Sequence, residues 1–309
     1  MGLNGPIMIL KQLSILSVCC ALVLCAGCAS AHRAESSSLR AGAKIPEACK
    51  TGGFFIGCQA YTFNKFSAFE AIEKTAEAGG KVIEFYPGQK LSKEEPNVRW
   101  DHTASAETIQ KVKDKLAASK VTAVNYGVVG IPKDEAEARK LFEFAKTMGL
   151  YAITTESVEN LDTIEKMVKE YDVKVAFHNH PKQANNPNYK VWDPKYILSV
   201  VKNRDARIGS CADTGHWLRS GLKPVKCLQI LKGHIISSHM KDLNEMAPDG
   251  HDVPFGTGVA DISGILTELK AQHFAGNVSL EYEYNWENST PECGQCIGFV
   301  RGYGAARKW

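Results

Sequence analysis

The chain has no excess of charge of either sign. It carries 37 Lys and Arg against 34 Asp and Glu, which gives a formal net charge of +3 over 309 residues. Nucleic-acid-binding proteins usually present a concentrated basic surface, so this balance argues against DNA or RNA as a partner. The chain also lacks an apolar run of about 20 residues, the length that a helix needs to span a bilayer. A transmembrane protein is therefore not predicted.

Motifs of three common enzyme classes are missing or incomplete. No Gly-x-Gly-x-x-Gly follows the first predicted strand, which removes the main support for a dinucleotide-binding fold. No cluster of Arg and Ser indicates a phosphate site. The Asp-Thr-Gly triplet of aspartic proteases occurs at residues 213–215, but such a protease needs two of these loops, from two lobes or two chains. The alternation of helices and strands described below also argues against a β-rich protease.

The first 27 residues have the layout of a lipoprotein signal peptide. Lys11 precedes an apolar run over residues 13–24, and Cys-Ala-Gly-Cys follows at 25–28. Small residues before a cysteine resemble a bacterial lipobox, in which Cys28 would become the lipidated N-terminus. We therefore expect an exported protein of the bacterial cell envelope, lipid-anchored and facing the periplasm. An ordinary cleaved signal peptide is the alternative. Residues 28–48 are polar and rich in Ser and Ala, and they predict a flexible tether.

The cysteines do not define a disulfide framework. Six of the ten lie after residue 28, and export would allow them to oxidise, but their pairing cannot be deduced from one sequence. Cys293 and Cys296 form a Cys-x-x-Cys pair on the last predicted helix. A zinc site would need a second pair of ligands, so two helix cysteines or a local disulfide remain the alternatives.

Short apolar runs alternate with amphipathic runs from residue 53 onward. Eight strands are predicted: FFIGCQAYTF, KVIEFYPG, VTAVNYGVVG, YAITTES, VKVAFHNH, ARIGSCADTGHW, HIISSHMKDLN and NVSLEYEYN. A helical pattern follows each of them. Strict alternation predicts a parallel sheet. Eight units in about 260 residues favour one closed (β/α)₈ TIM barrel, an α/β fold over residues 49–309, rather than an open doubly wound sheet.

Polar side chains stand at the carboxyl ends of six predicted strands, where barrel enzymes have their active sites. They are Glu84, Glu156, His178, Asn179, His180, Asp213, His216, His239, Lys241, Asp242, Glu281 and Glu283. So many carboxylates and imidazoles at one barrel mouth would be costly without partners, and a divalent cation removes that cost. Glu156, Asp213, His239 and Glu281 form a plausible ligand set. Three carboxylates and one imidazole favour Mn²⁺ or Mg²⁺, with Co²⁺ or Zn²⁺ as alternatives.

Six stretches together resemble one protein family: VIEFYPGQ, AFHNH, ADTGHW, SHMKDLN, PFGTGVADISGIL and LEYEY. They are similar to the xylose isomerase-like TIM barrels, the sugar isomerase and epimerase group whose superfamily includes AP endonuclease family 2. The resemblance covers essentially the whole chain after the tether. It implies that one metal ion is bound by the same four residues, and that His216 contacts substrate oxygens.

The resemblance and the residue types suggest proton transfer on a small carbohydrate. A bound divalent ion would polarise the carbonyl of a sugar and stabilise the enediolate that forms when the neighbouring carbon loses its proton. Glu156 and Glu281 are the expected acid/base pair. The expected substrate-binding residues are His178, His180, His216, Trp217, Lys241 and Glu84. Glu84 could instead be a partner of another site residue.

Other functions remain open at this point. A lyase or hydratase acting on a 3-keto-glycoside would use the same enolate chemistry. Ketohexose epimerases of this group often carry Arg six residues after the strand-seven histidine. Glu245 stands there instead, which argues against epimerisation of a free ketohexose. A sugar-binding lipoprotein without catalysis would need no metal ligands. A zinc endonuclease could use Asp249 and His251. It would also need histidines after strands two and three, and the stretches IEFYPG and AVNYGV contain none. A homo-oligomer is compatible with the sequence.

Overall fold

The computed structural model describes residues 43–309. The predicted signal peptide, the lipidation site Cys28 and most of the predicted tether lie outside these residues. Within them, no helix is both long enough and apolar enough to cross a bilayer.

Eight parallel strands close into a barrel. They are β1 (Phe54–Gln59), β2 (Val82–Phe85), β3 (Thr122–Tyr126), β4 (Ala152–Thr155), β5 (Lys174–His178), β6 (Ile208–Asp213), β7 (Ile235–Met240) and β8 (Asn277–Leu280). Each strand pairs with the next in chain order, and β8 pairs with β1 to close the ring. The predicted (β/α)₈ fold class is therefore confirmed.

Nine α-helices surround the strands in the described part of the chain. They are α1 (Ala68–Glu77), α2 (Ala106–Ser119), α3 (Glu135–Met148), α4 (Leu161–Tyr171), α5 (Pro194–Val201), α6 (Thr214–Arg219), α7 (Pro224–Ile230), α8 (Ile262–Ala271) and α9 (Thr290–Arg307). Local signals set their ends. Ser67 and Glu70 form a capping box that begins α1, and Gly149 ends α3 in the left-handed conformation.

The main hydrophobic core lies between the strands and the helices. Residues of β1, β2, β4, β6 and β8 are buried along their full length, as expected when a parallel sheet is covered on both faces. Two short antiparallel hairpins stand outside the ring. One of them, Asp242–Leu243 with Asp252–Val253, follows β7. The carboxyl ends of all eight strands meet at one face, called here the barrel mouth.

Candidate active site at the barrel mouth

A buried cation lies between two carboxylates at the mouth. Nζ of Lys241 is 2.6 Å from Oδ2 of Asp213 and also pairs with Oε2 of Glu281. Burial alone would lower the pKa of Lys241, but the two carboxylates outweigh it and hold that pKa well above its usual value. Burial would likewise raise the pKa of Glu281, yet the charges of Lys241 and His239 keep it well below its usual range. All three groups of this triad are therefore charged at neutral pH.

The chain places Asp213 and His216 together by starting a helix. Asp213 ends β6 and caps α6, because its Oδ1 accepts a hydrogen bond of 2.7 Å from the His216 amide. Positions three apart share one face of a helix, so both side chains point into the mouth. Gly215 is needed between them, since a Cβ there would lie 2.7 Å from Cβ of Lys241.

His178, at the end of β5, bridges two carboxylates. Its Nδ1 is 3.3 Å from Oε1 of Glu156, and its Nε2 is 3.4 Å from Oδ2 of Asp213. Burial disfavours the charged ring, but these two acids outweigh burial and raise the pKa of His178 to about 9. The Nε2 atom is buried and makes no well-aligned hydrogen bond within residues 43–309. It faces Asp213, and it could bind a metal ion only after losing its hydrogen.

His239, near the end of β7, lies between two other carboxylates. Nδ1 is 3.2 Å from Oε2 of Glu281, and Nε2 is 3.0 Å from Oε2 of Glu84. Glu84 is completely buried, and its oxygens also accept bonds of 2.7 Å from Thr154 and 2.6 Å from Ser279. Of the two roles expected for Glu84, this geometry matches the partner of another site residue.

Glu156 stands on the more open side of the mouth, with its side chain 25% exposed. His180 pairs with its Oε1, and the Tyr189 hydroxyl donates to it over 3.2 Å. Burial would raise the pKa of Glu156, but hydrogen bonds from His178 and His180 lower it to about 2. Tyr189 escaped the sequence analysis because it lies in the irregular Asn- and Pro-rich segment after β5. An aromatic residue inside that polar segment was the available signal.

Arg219 is a second site residue that the sequence analysis missed. Its Nη1 donates to Nδ1 of His216 over 3.1 Å and to Glu283 over 3.0 Å, while Nη2 pairs with Asp252. Since arginine can only donate, the Nδ1 of His216 must be the unprotonated nitrogen. Burial also holds the pKa of His216 well below its usual value. The ring is therefore neutral, with its hydrogen on Nε2, and Nε2 can donate to a ligand.

Trp217 does not reach the mouth. It is 1% exposed and packs in the main hydrophobic core. A ring buried in this way presents no face on which a sugar could stack. The prediction that Trp217 binds substrate therefore finds no support in its position.

The donor set fits a divalent cation. Ligand atoms of four residues lie within 4.8 Å of one another: His178, Asp213, His216 and Glu281. A second such group contains Glu156, His178 and His180. Asp213 and Glu281 belong to the predicted ligand set, Glu156 lies in the second group, and His239 adjoins Glu281. Carboxylates and imidazoles suit Mn²⁺, Mg²⁺, Co²⁺ and Zn²⁺. The ammonium of Lys241 competes for the same two carboxylates.

Comparisons with known proteins agree with the fold. A family model described as xylose isomerase-like TIM barrel matches residues 72–297. No curated protein matches the chain. An uncharacterized protein from Parabacteroides distasonis ATCC 8503 superimposes with a TM-score of 0.64 at 30% identity, over 80% of this chain and 98% of that one.

Two more distant structures share the fold. A D-tagatose 3-epimerase-like protein has 16% identity and a TM-score of 0.63, over 82% of this chain and 98% of its own. A xylose isomerase-like TIM barrel protein from Mycobacterium smegmatis, solved in complex with magnesium, has 12% identity and a TM-score of 0.63, over 81% and 96%.

Proposed function

Because the chain belongs to the xylose isomerase-like TIM barrel family, we propose that it is a metal-dependent sugar isomerase or epimerase. It would move a proton on a carbon next to a carbonyl. The observation that carries this proposal is the pair of buried carboxylates, Asp213 and Glu281, which face one buried point of the mouth beside several imidazoles. The D-tagatose 3-epimerase-like structure is consistent with the proposal.

We propose that Asp213, Glu281 and His178 hold the ion and that Nδ1 of His239 completes the set. His178 offers a buried nitrogen, Nε2, which lies 3.4 Å from the carboxylate of Asp213 and would lose its hydrogen when the ion binds. Glu84 faces the other nitrogen of His239, which is the usual way in which a carboxylate orients a metal-binding histidine. The bound ion, Mn²⁺ or Mg²⁺ by preference, would polarise the substrate carbonyl. In this set, His178 is a ligand in place of Glu156, which was predicted as a ligand from the sequence.

Glu156 and Glu281 are the proposed acid/base pair. They follow β4 and β8, which are four strands apart in the closed ring and so form opposite walls of the barrel. A sugar bound between them would present one face of its reacting carbon to each carboxylate. The low pKa of both groups keeps them ionised and able to accept a proton.

The remaining polar groups suit substrate binding. Nε2 of His216 can donate to a sugar oxygen because Arg219 occupies the other nitrogen. His180 is about half exposed beside Glu156 and can reach a hydroxyl. Lys241 can neutralise negative charge that develops on a substrate oxygen once a bound ion has taken over the two carboxylates with which it pairs here.

A lyase acting on a 3-keto-glycoside is the second candidate. It would use the same base to remove the proton and would then expel a leaving group from the next carbon. Glu245 favours this reaction, because it replaces the arginine that the resemblance associates with free ketohexoses.

Export and lipid anchoring at Cys28 are part of the proposal as well. Metabolic labelling with a radioactive fatty acid tests them through the variant Cys28→Ala.

Solvent isotope exchange tests the proposed function. The protein is incubated with keto-sugars and 3-keto-glycosides in D₂O, with and without EDTA. Deuterium should enter the carbon next to the carbonyl, EDTA should prevent this, and Glu281→Gln should abolish it. The matched control is Glu287→Gln, which changes an exposed carboxylate shortly after β8. Full exchange in Glu281→Gln would refute the assignment.

A further inference from the structure

The segment between β5 and α5, together with the first turn of α5, lines an open cavity of its own. The cavity has a volume of about 530 Å³, and every residue that lines it lies within residues 182–196. None of the buried acids or imidazoles of the barrel mouth lines it. Its volume falls within the range of small-molecule sites in proteins. The cavity is therefore a separate candidate site beside the mouth.

The lining combines aromatic rings with polar groups. Trp192 and Tyr196 supply ring surface, and Gln183 and Asn186 supply amides that both donate and accept hydrogen bonds. Aromatic faces are electron-rich and attract the polarised C–H bonds on the flat side of a pyranose. Nζ of Lys182 lies over one face of the Trp192 ring, 5.0 Å from its centre, so it covers that face and adds a hydrogen-bond donor beside it. This composition suits a polyhydroxylated ring.

Tyr189 connects the cavity to the active site. Its side chain lines the cavity, while its hydroxyl lies 3.2 Å from Oε1 of Glu156 and accepts a bond of 3.0 Å from the His180 amide. At the other end of the segment, the Lys182 amide donates to the hydroxyl of Ser220, directly after the helix that carries His216. The segment is thus attached to both sides of the mouth, and one side chain separates the cavity from the proposed acid/base residue.

We propose that this cavity is a subsite for a second sugar ring. It would hold one pyranose of a glycoside while the keto-bearing ring lies at the barrel mouth. The inference rests on the proposed function and names its substrate class, glycosides rather than free monosaccharides. Binding energy gained at a remote ring can be used to position the reacting centre, so the second ring should increase turnover as well as affinity.

Binding to the intact protein tests the subsite without relying on catalysis. Cellobiose, lactose, maltose and cellobiuronic acid are compared with glucose by isothermal titration calorimetry, in Mn²⁺ and in EDTA. At least one disaccharide should bind on the order of tenfold more tightly than glucose, and Trp192→Ala should remove the difference. Trp286→Ala, a change in another half-buried tryptophan of a mouth loop, is the control and should preserve it. Equal binding of glucose and every disaccharide would overturn the subsite.

A second variant protects the test against misfolding. Gln183 is exposed, so Gln183→Ala removes one lining amide without disturbing the core, and it should weaken disaccharide binding severalfold. Unchanged affinity in both this variant and a folded Trp192→Ala would overturn the subsite.

The subsite and the proposed function fail in different ways. Suppose that deuterium exchange occurs equally fast on 3-ketoglucose and on 3-keto-disaccharides, and that Trp192→Ala changes neither rate. The subsite is then refuted and the isomerase remains. If a disaccharide binds through Trp192 but no sugar exchanges its proton, the subsite stands and the isomerase is refuted.

Discussion

The ammonium nitrogen of Lys241 lies 2.6 Å from Oδ2 of Asp213, and both side chains are completely buried. The same nitrogen pairs with Glu281. A cation that belongs to the protein therefore occupies the space between the two carboxylates that we propose as metal ligands. The chain has its own means of neutralising these acids, and a divalent ion must displace Lys241 or share the acids with it.

Replacing Lys241 should make the protein more dependent on metal. Lys241→Met leaves two buried carboxylates without their cation, which should lower the free energy of unfolding in EDTA by about 3–5 kcal/mol. Mn²⁺ can then neutralise both acids without competition. The rise in melting temperature on adding Mn²⁺ should be larger in Lys241→Met than in the wild type.

The control for this experiment is Lys232→Met, which changes an exposed lysine and should respond to Mn²⁺ like the wild type. Identical Mn²⁺-induced shifts in Lys241→Met and the wild type would show that the ion binds elsewhere.

Two substitutions separate the proposed ligand set from the one predicted from sequence. His178→Ala should weaken Mn²⁺ binding by on the order of tenfold or more, because it removes a ligand atom. Glu156→Gln should weaken Mn²⁺ binding less than His178→Ala does, because its carboxylate only orients the ring of His178, and yet it should stop deuterium exchange. Electron paramagnetic resonance of free Mn²⁺ measures the affinities. The opposite ranking of the two variants would return Glu156 to the ligand set.

The sequence was sufficient to predict the barrel fold, because the alternation of β and α patterns is a local signal. It also indicated that Asp213 and His216 serve one site. For both side chains to face that site, the chain must change direction at the end of the strand. The structure makes this change of direction by beginning a helix at Thr214. Propensity alone did not predict this helix, because it is short and is stabilised by packing against Lys241.

Contacts made from outside the strands could not be predicted. Arg219 reaches His216 from the same short helix, but its other partners, Glu283 and Asp252, come from distant parts of the chain. Trp217 looked like a sugar-stacking residue because it adjoins His216 in sequence. On the helix, its neighbouring position turns it toward the core instead.

Arg219 should control which nitrogen of His216 carries the hydrogen. Arg219→Gln removes an obligatory donor to Nδ1, so the ring can adopt the other tautomer and lose its Nε2 donor. We expect kcat/KM to fall on the order of ten- to hundredfold, with partial recovery in Arg219→Lys. Long-range ¹H–¹⁵N spectra of the ring report the tautomer directly, independently of activity. An unchanged His216 spectrum in Arg219→Gln would contradict this role.

Asp252 should make the protein less stable as the pH rises. Burial raises the pKa of Asp252 from its usual 3.8 to about 7, despite the nearby charges of Lys241 and Arg219, and its Oδ1 has no hydrogen-bond partner in the described part of the chain. Folding therefore favours the protonated form. The contribution of this group is fully present below pH 3.8 and is lost progressively as the pH rises through 7.

Asp252→Asn removes the ionisable group while preserving its shape, so the variant should lack this loss. Between pH 5 and pH 8, the free energy of unfolding of the wild type should fall by about 2–3 kcal/mol more than that of Asp252→Asn. Urea denaturation at the two pH values measures both. Arg219 pairs with Asp252 at 3.1 Å. If the wild type instead gained stability relative to the variant as the pH rises, this ion pair would outweigh the effect of burial.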